Sequence, residues 1–251
     1  NMSKLENYIE YFSASTINLF VRDKSKFILK IAGYDDFNGN PSTLRGNAVE
    51  NQLLSVPFYK ERNIQEHIED ALAFYSSELL GLNQNFDEKK IEKERTDIPH
   101  YIMSGFPTYY NIDDEPIKTQ SKVELKVDGL QLPLIGYIDL ECERSIRDLK
   151  TTRAIPSALP HSVNRQLAIY STATNKDAWV DYASKKHCTT YRVSNIKNTM
   201  DEVVAICQGI EKFLSISDDI KEIASMHYPN LDSWEWGQDD INNAKKLWSI
   251  K

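Results

Sequence analysis

Cysteine is scarce in this chain: three residues in 251, at Cys142, Cys188 and Cys207. A scattered, odd-numbered set does not read as a disulfide framework and suits a reducing compartment. Long apolar runs are missing too. No stretch approaches the roughly 18 consecutive apolar residues that suggest a membrane-spanning helix. The opening residues Asn-Met-Ser-Lys-Leu-Glu-Asn have none of the apolar core of a secretory leader, so the expectation is an intracellular protein. Nor is there an excess of basic charge. With 30 Lys and Arg against 37 Asp and Glu, the net charge is −7. That argues against a general nucleic-acid coat and leaves local basic patches for any phosphate contact. No internal repeat, low-complexity run or linker divides the sequence into domains.

What is present is an ordinary globular composition, 41% hydrophobic, enough to bury one good core. Residues 3–12 read as a short amphipathic helix with Leu5, Tyr8, Ile9 and Phe12 on one side. Ser13 and Ser15 precede the apolar run from Ile17, an N-cap pattern that also offers hydroxyls and backbone N–H groups to a phosphate. Residues 33–42 form a polar loop. Ser42 or Thr43 then caps a helix reaching about Leu54, with Glu50 set among its apolar positions. The strongest helical pattern covers 63–82, where His67 reads as a surface residue. Residues 86–93 read as a charged helical turn, and 99–110 as a mixed segment. Its aromatics Tyr101, Phe106, Tyr109 and Tyr110 are either core or a stacking surface for nucleobases.

A sheet begins near Ser121, where Val123 to Val127 alternates apolar with charged. The most informative stretch is Gly136 to Thr152, two strands joined by a tight polar turn. Asp148 and Lys150, two apart in a strand, project from one face. If the strands pair as a hairpin, Asp139 comes to lie beside Asp148. Carboxylates gathered at a sheet cost energy unless a cation offsets them, and a hard divalent ion would do so. After Lys150 come Thr151, Thr152 and Arg153, a loop with Pro156 and Pro160, and a helix from about Ser162 to Thr174. Arg165, Gln166 and Tyr170 lie on it, the last two one turn apart on one face. Strands at 178–183 and 188–193 and a helix from about Met200 follow.

Gly-x-x-Asp at Gly136 to Asp139, Asp-x-Lys-Thr at Asp148 to Thr151 and Gln-x-x-x-Tyr at Gln166 to Tyr170 stand in that order within 35 residues. In this the chain resembles the PD-(D/E)XK nuclease superfamily, and within it the RecB-type branch that includes the mitochondrial genome maintenance exonuclease. The resemblance implies an α/β fold: a mixed central β-sheet flanked by helices, a restriction-endonuclease-like core, with a helical N-terminal part. It implies one nuclease domain over 1–251, mainly helical over 1–117, with the catalytic sheet and Gln-x-x-x-Tyr helix over 118–195 and C-terminal helices over 196–251. The implied activity is metal-dependent hydrolysis of DNA from its ends, with Mg²⁺ or Mn²⁺ as cofactor. Asp139, Asp148, Lys150, Gln166 and Tyr170 would be catalytic. Asp139 and Asp148 would hold the metal together with the Leu149 carbonyl and Glu50, which stands where the branch usually has a histidine. Ser13, Ser15, Thr151, Thr152, Arg153 and Arg165 would contact DNA, with Arg22, Lys24, Lys26, Lys30 and Arg45 as further basic lining. Some relatives hold an iron–sulfur cluster on four cysteines, which three cannot supply. A site-specific endonuclease of the same superfamily and a non-catalytic nucleic-acid-binding protein are the alternatives.

Overall fold

The structure is a computed structural model that describes residues 4–34, 39–82, 86–233 and 235–250. The protein is α/β, with a five-stranded mixed sheet and, among the described residues, nine α-helices. The chain divides into two compact units that interleave along the sequence. One comprises 1–37, 124–136 and 195–251, the other 38–123 and 137–194.

The second unit contains helices α3 (Pro41–Ser55), α4 (Ile64–Gly81), α5 (Glu88–Tyr110) and α6 (His161–Thr174). With them go strands β3 (Ser145–Thr151), β4 (Asp177–Ala183) and β5 (Cys188–Arg192), and most of β1 (Pro116–Leu125) and β2 (Leu134–Cys142). The sheet order is β1-β2-β3-β4-β5. β2 and β3 are the expected antiparallel hairpin, β4 and β5 are antiparallel, and β3 pairs parallel with β4 from Ser145↔Asp177 to Thr151↔Ala183. A parallel pair needs a crossover of a dozen or more residues, and α6 provides it. The core collects apolar side chains of α3, α4 and α5 against Leu140, Cys142, Leu149 and Ala183, so these three helices cover one sheet face. Alternation then turns Asp139, Asp148 and Lys150 to the other face.

Several helices depart from expectation. The segments around 86–93 and 99–110 are one 23-residue helix with Pro99 and Pro107 inside it. An interior proline removes a hydrogen bond and normally bends or breaks a helix. Here Ile98, Tyr101, Ile102, Gly105 and Tyr109 are buried at helical spacing, and packing outweighs the local penalty. Gly105 is required there, since a Cβ would collide with the Leu53 side chain of α3. Tyr101 and Tyr109 are fully buried, so the core reading applies to them, while Phe106 and Tyr110 stack on each other with ring centres 5.5 Å apart.

His67 is fully buried rather than superficial. It lies three residues from Ile64 and four from Ala71, on the apolar stripe of α4. Its Nδ1 is 3.2 Å from Gln52 Oε1 and 3.4 Å from Ser55 Oγ, while Nε2 is buried without a hydrogen-bond partner.

In the first unit, α1 (Ala14–Arg22) and α2 (Lys24–Ile31) accompany α7 (Ile196–Leu214), α8 (Ile220–Ser225) and α9 (Gln238–Leu247). The expected helix over 3–12 is reduced to a 3₁₀ turn at Lys4–Asn7. Phe12 instead forms a bridge with Leu134: its N–H donates to Pro133 O, and its carbonyl accepts from Ile135 N. A segment this short gains too little from helical hydrogen bonds to resist an available strand partner. No helix among the described residues is long and apolar enough to cross a membrane.

Burial, and secondarily the positive charge of Arg62, lowers the pKa of His67. The unfolded chain therefore binds a proton before the folded one does, and stability is lost as pH falls from about 6.5 towards the depressed folded value. Urea midpoints at about pH 7.5 and pH 5.5 should show this loss, and His67→Gln should reduce it.

Candidate active site

Asp148 sits in the middle of β3 with 2% of its side chain exposed. The β2–β3 register, Leu140↔Arg147 and Glu141↔Ile146, continues to set Asp139 opposite it. At that point the Asp139 side chain enters the ladder, where its Oδ2 accepts from the Leu149 N–H at 2.9 Å. Lys150 Nζ lies 2.7 Å from the buried Asp148 Oδ2, a close ion pair across one face of the strand. Asp148 Oδ1 accepts from Gln166 Nε2 at 2.9 Å, and the same nitrogen is 3.5 Å from the Tyr170 hydroxyl. The i, i+4 spacing on α6 thus delivers both side chains to one spot.

Glu50 reaches the site through the approach of α3 to β3. A Cβ at Gly46 would lie 3.2 Å from Thr151 Oγ1, so glycine allows this close packing. Glu50 is one turn further along the same helical face. Its Oε1 accepts from Gln120 Nε2 at 3.2 Å. Gln120 is exposed and lies within β1 at φ 52, in the left-handed region that costs a side-chain-bearing residue energy. No motif marks Gln120 in the sequence, because its role depends on where the edge strand β1 brings it.

The electrostatics are those of crowded carboxylates. Asp139 is raised well above the ordinary carboxylate pKa by burial, then by the charges of Asp148 and Glu50. Burial also raises Asp148 and Glu50, and the Asp148 charge adds to the rise at Glu50. Burial alone would lower Lys150, but the three carboxylates outweigh it and raise its pKa, which keeps the ammonium charged. Behind the sheet, Arg147 makes two 2.9 Å hydrogen bonds to fully buried Asp181, which also receives the Thr190 hydroxyl.

The remaining sequence candidates have other partners. The Thr152 hydroxyl donates to Ala154 O in a local turn. Arg153 is 70% exposed and donates to Glu94, and the buried Arg45 pairs with Glu94 while lying over the Tyr101 ring. Arg165 is buried. In the other unit, Ser13 is the N-cap of α1, accepting from Thr16 N at 3.1 Å, and its Oγ lies 2.9 Å from that of Ser15.

Among the described residues, no group of three or more His, Cys, Asp and Glu side chains is set as a ready-made metal cluster. The donors nevertheless fit a hard cation in kind. They are carboxylate oxygens, crowded closely enough that the charges of Asp148 and Glu50 raise the pKa of Asp139. Two thiols elsewhere, Cys142 and Cys188, are raised by burial to about 11, and Cys207 to about 12, which suits inert side chains.

No family model matches the chain, and no curated protein matches it. It is similar to a solved structure described as the crystal structure of SSO0001, at 15% identity over 72% of this chain and 85% of that one. The TM-score is 0.32, and likeness at that level carries no argument.

Two measurements follow from this geometry. A carboxyl whose folded pKa is raised costs stability once the unfolded chain has ionised, so metal-free protein should lose stability as pH rises from about 4 towards the folded pKa of Asp139. Asp139→Asn removes one of three mutually repelling carboxylates and should flatten that loss, read as urea midpoints in chelator. At position 120, alanine and glycine both remove the amide, so the difference between the two variants isolates the backbone. Gln120→Gly should be more stable than Gln120→Ala by about 1 kcal/mol, the reverse of the usual order within a strand.

Proposed function

We propose that this protein is a metal-dependent deoxyribonuclease that hydrolyses phosphodiester bonds from DNA ends. The observation that carries the reading is the meeting of Glu50, Asp139, Asp148 and Lys150 in one electrostatic cluster, with Gln166 bonded to Asp148. Structural needs alone do not account for three like charges at a sheet, whereas binding a phosphodiester through a divalent cation does. Glu50, Asp139 and Asp148 would hold Mg²⁺ or Mn²⁺, and the bound ion would supply a water of lowered pKa and positive charge at the phosphate.

Lys150, kept protonated by its neighbours, suits holding negative charge on the phosphate as it develops. Gln166 ties α6 to Asp148 and can orient the attacking water or a phosphate oxygen. Tyr170 lies beside it with a hydroxyl whose pKa is raised, first by burial, so it acts as a neutral hydrogen-bonding group. The preference for ends rests on the likeness of the Gln-x-x-x-Tyr helix to exonucleases.

With Mg²⁺, end-labelled linear DNA should release short labelled products while covalently closed circles survive. Asp148→Ala and Lys150→Ala should each slow cleavage by about 100-fold or more. Mn²⁺ should raise the thermal midpoint of the wild type and of Lys150→Ala but not that of Asp148→Ala, because of these two residues Asp148 would be the metal ligand. Wild-type cleavage rates in either variant would overturn the assignment. Linearised circles ahead of small products would mark an endonuclease.

A further inference from the structure

Strand β2 alternates along its length, with Ile138, Leu140 and Cys142 buried and Tyr137, Asp139 and Glu141 on the more open face. The two carboxylates of that face have local partners: Asp139 takes the Leu149 N–H, and Glu141 pairs with Lys176 at 2.9 Å. Tyr137 is different, as 54% of it is exposed. Two residues along a strand span about 7 Å, so this ring stands beside the carboxylates. Its backbone hydrogen-bonds the Tyr170 hydroxyl, which is 3.5 Å from Gln166 Nε2, and Gln166 reaches Asp148. The other tyrosines nearest the cluster, Tyr170 and Tyr182, are each only 6% exposed and offer no open ring face. An aromatic left in water beside a charged site forgoes the burial that would repay its apolar surface.

We propose that Tyr137 is a stacking platform for a nucleobase next to the phosphate held at Asp139, Asp148 and Lys150. This rests on the DNA reading above. A base inside a duplex has both faces covered by its neighbours and cannot lie on a protein ring, whereas a base of a single strand or a frayed end can. Sequence selectivity should be slight, because every base presents a π-face.

The test separates stacking from charge. Ca²⁺ replaces Mg²⁺, and fluorescence anisotropy compares a labelled 12-nucleotide oligo-dT strand with an abasic strand of equal length, identical in phosphates but without bases. The wild type should bind oligo-dT about tenfold or more tighter than the abasic strand. Tyr137→Leu should bring oligo-dT down to the abasic level and leave abasic binding unchanged, while Tyr137→Phe should keep the wild-type preference. Equal binding of the two strands by the wild type overturns the platform, as does a Leu variant that weakens both strands alike or neither. Cleavage with Mg²⁺ is scored separately. If the base preference is present but cleavage absent, the nuclease reaction fails and the subsite stands. Cleavage without a base preference leaves the reaction in place and removes the subsite.

Discussion

The second unit is arranged around one unfavourable fact: Asp148 is almost fully buried, and its charge raises the pKa of both Asp139 and Glu50. Isolated buried carboxylates neutralise rather than remain charged. The fold limits the cost locally. Lys150 sets an ammonium against Asp148, the Leu149 amide donates to Asp139, and Gln166 reaches down from α6. Each partner offsets part of the repulsion, and Asp148 Oδ2 is held 2.7 Å from the Lys150 ammonium.

The scaffold that enforces this crowding carries charge of its own. Arg45, buried on α3, pairs with Glu94 on α5 and lies 4.3 Å from the Tyr101 ring centre, and Ser42 and Arg153 also donate to Glu94. Buried pairs of this kind add little net stability against an apolar replacement, but losing one partner leaves an uncompensated charge. Their effect is to hold α3 in one place, and the Gly46 contact with β3 then sets how near Glu50 comes. The Arg147–Asp181 pair lies on the sheet face that these helices cover, behind Asp148, and the Asp181 charge adds to the rise at Asp148. The candidate site is thus a layer of charges balanced from both sides of one strand.

Much of this was legible beforehand. The alternation in 136–152 with its polar turn corresponds to β2 and β3, and the two further strands and the 161–174 helix lie within a residue of where patterning put them. Local rules suffice there, because side-chain period and turn residues act over a few positions. They failed where long-range packing overruled them. Pro99 and Pro107 stay within one helix because buried neighbours on both sides hold it together, and Phe12 leaves its helix for a strand contact 122 residues away.

The sequence by itself determined which residue types could meet: two carboxylates and a lysine at strand spacing, and a glutamine and a tyrosine one helical turn apart. Periodicity also decided that Asp148 and Lys150 share a face. Only the tertiary structure decided that Glu50 joins them, since that depends on how closely α3 packs on β3. It alone decided that Gln120 adopts a left-handed backbone beside Glu50, that His67 is interior, and that the Tyr137 ring stays open to solvent while Tyr170 and Tyr182 are closed in. The reason is the same in each case. Exposure and charge coupling are properties of what packs against a residue from elsewhere in the chain, and no local pattern encodes that neighbour.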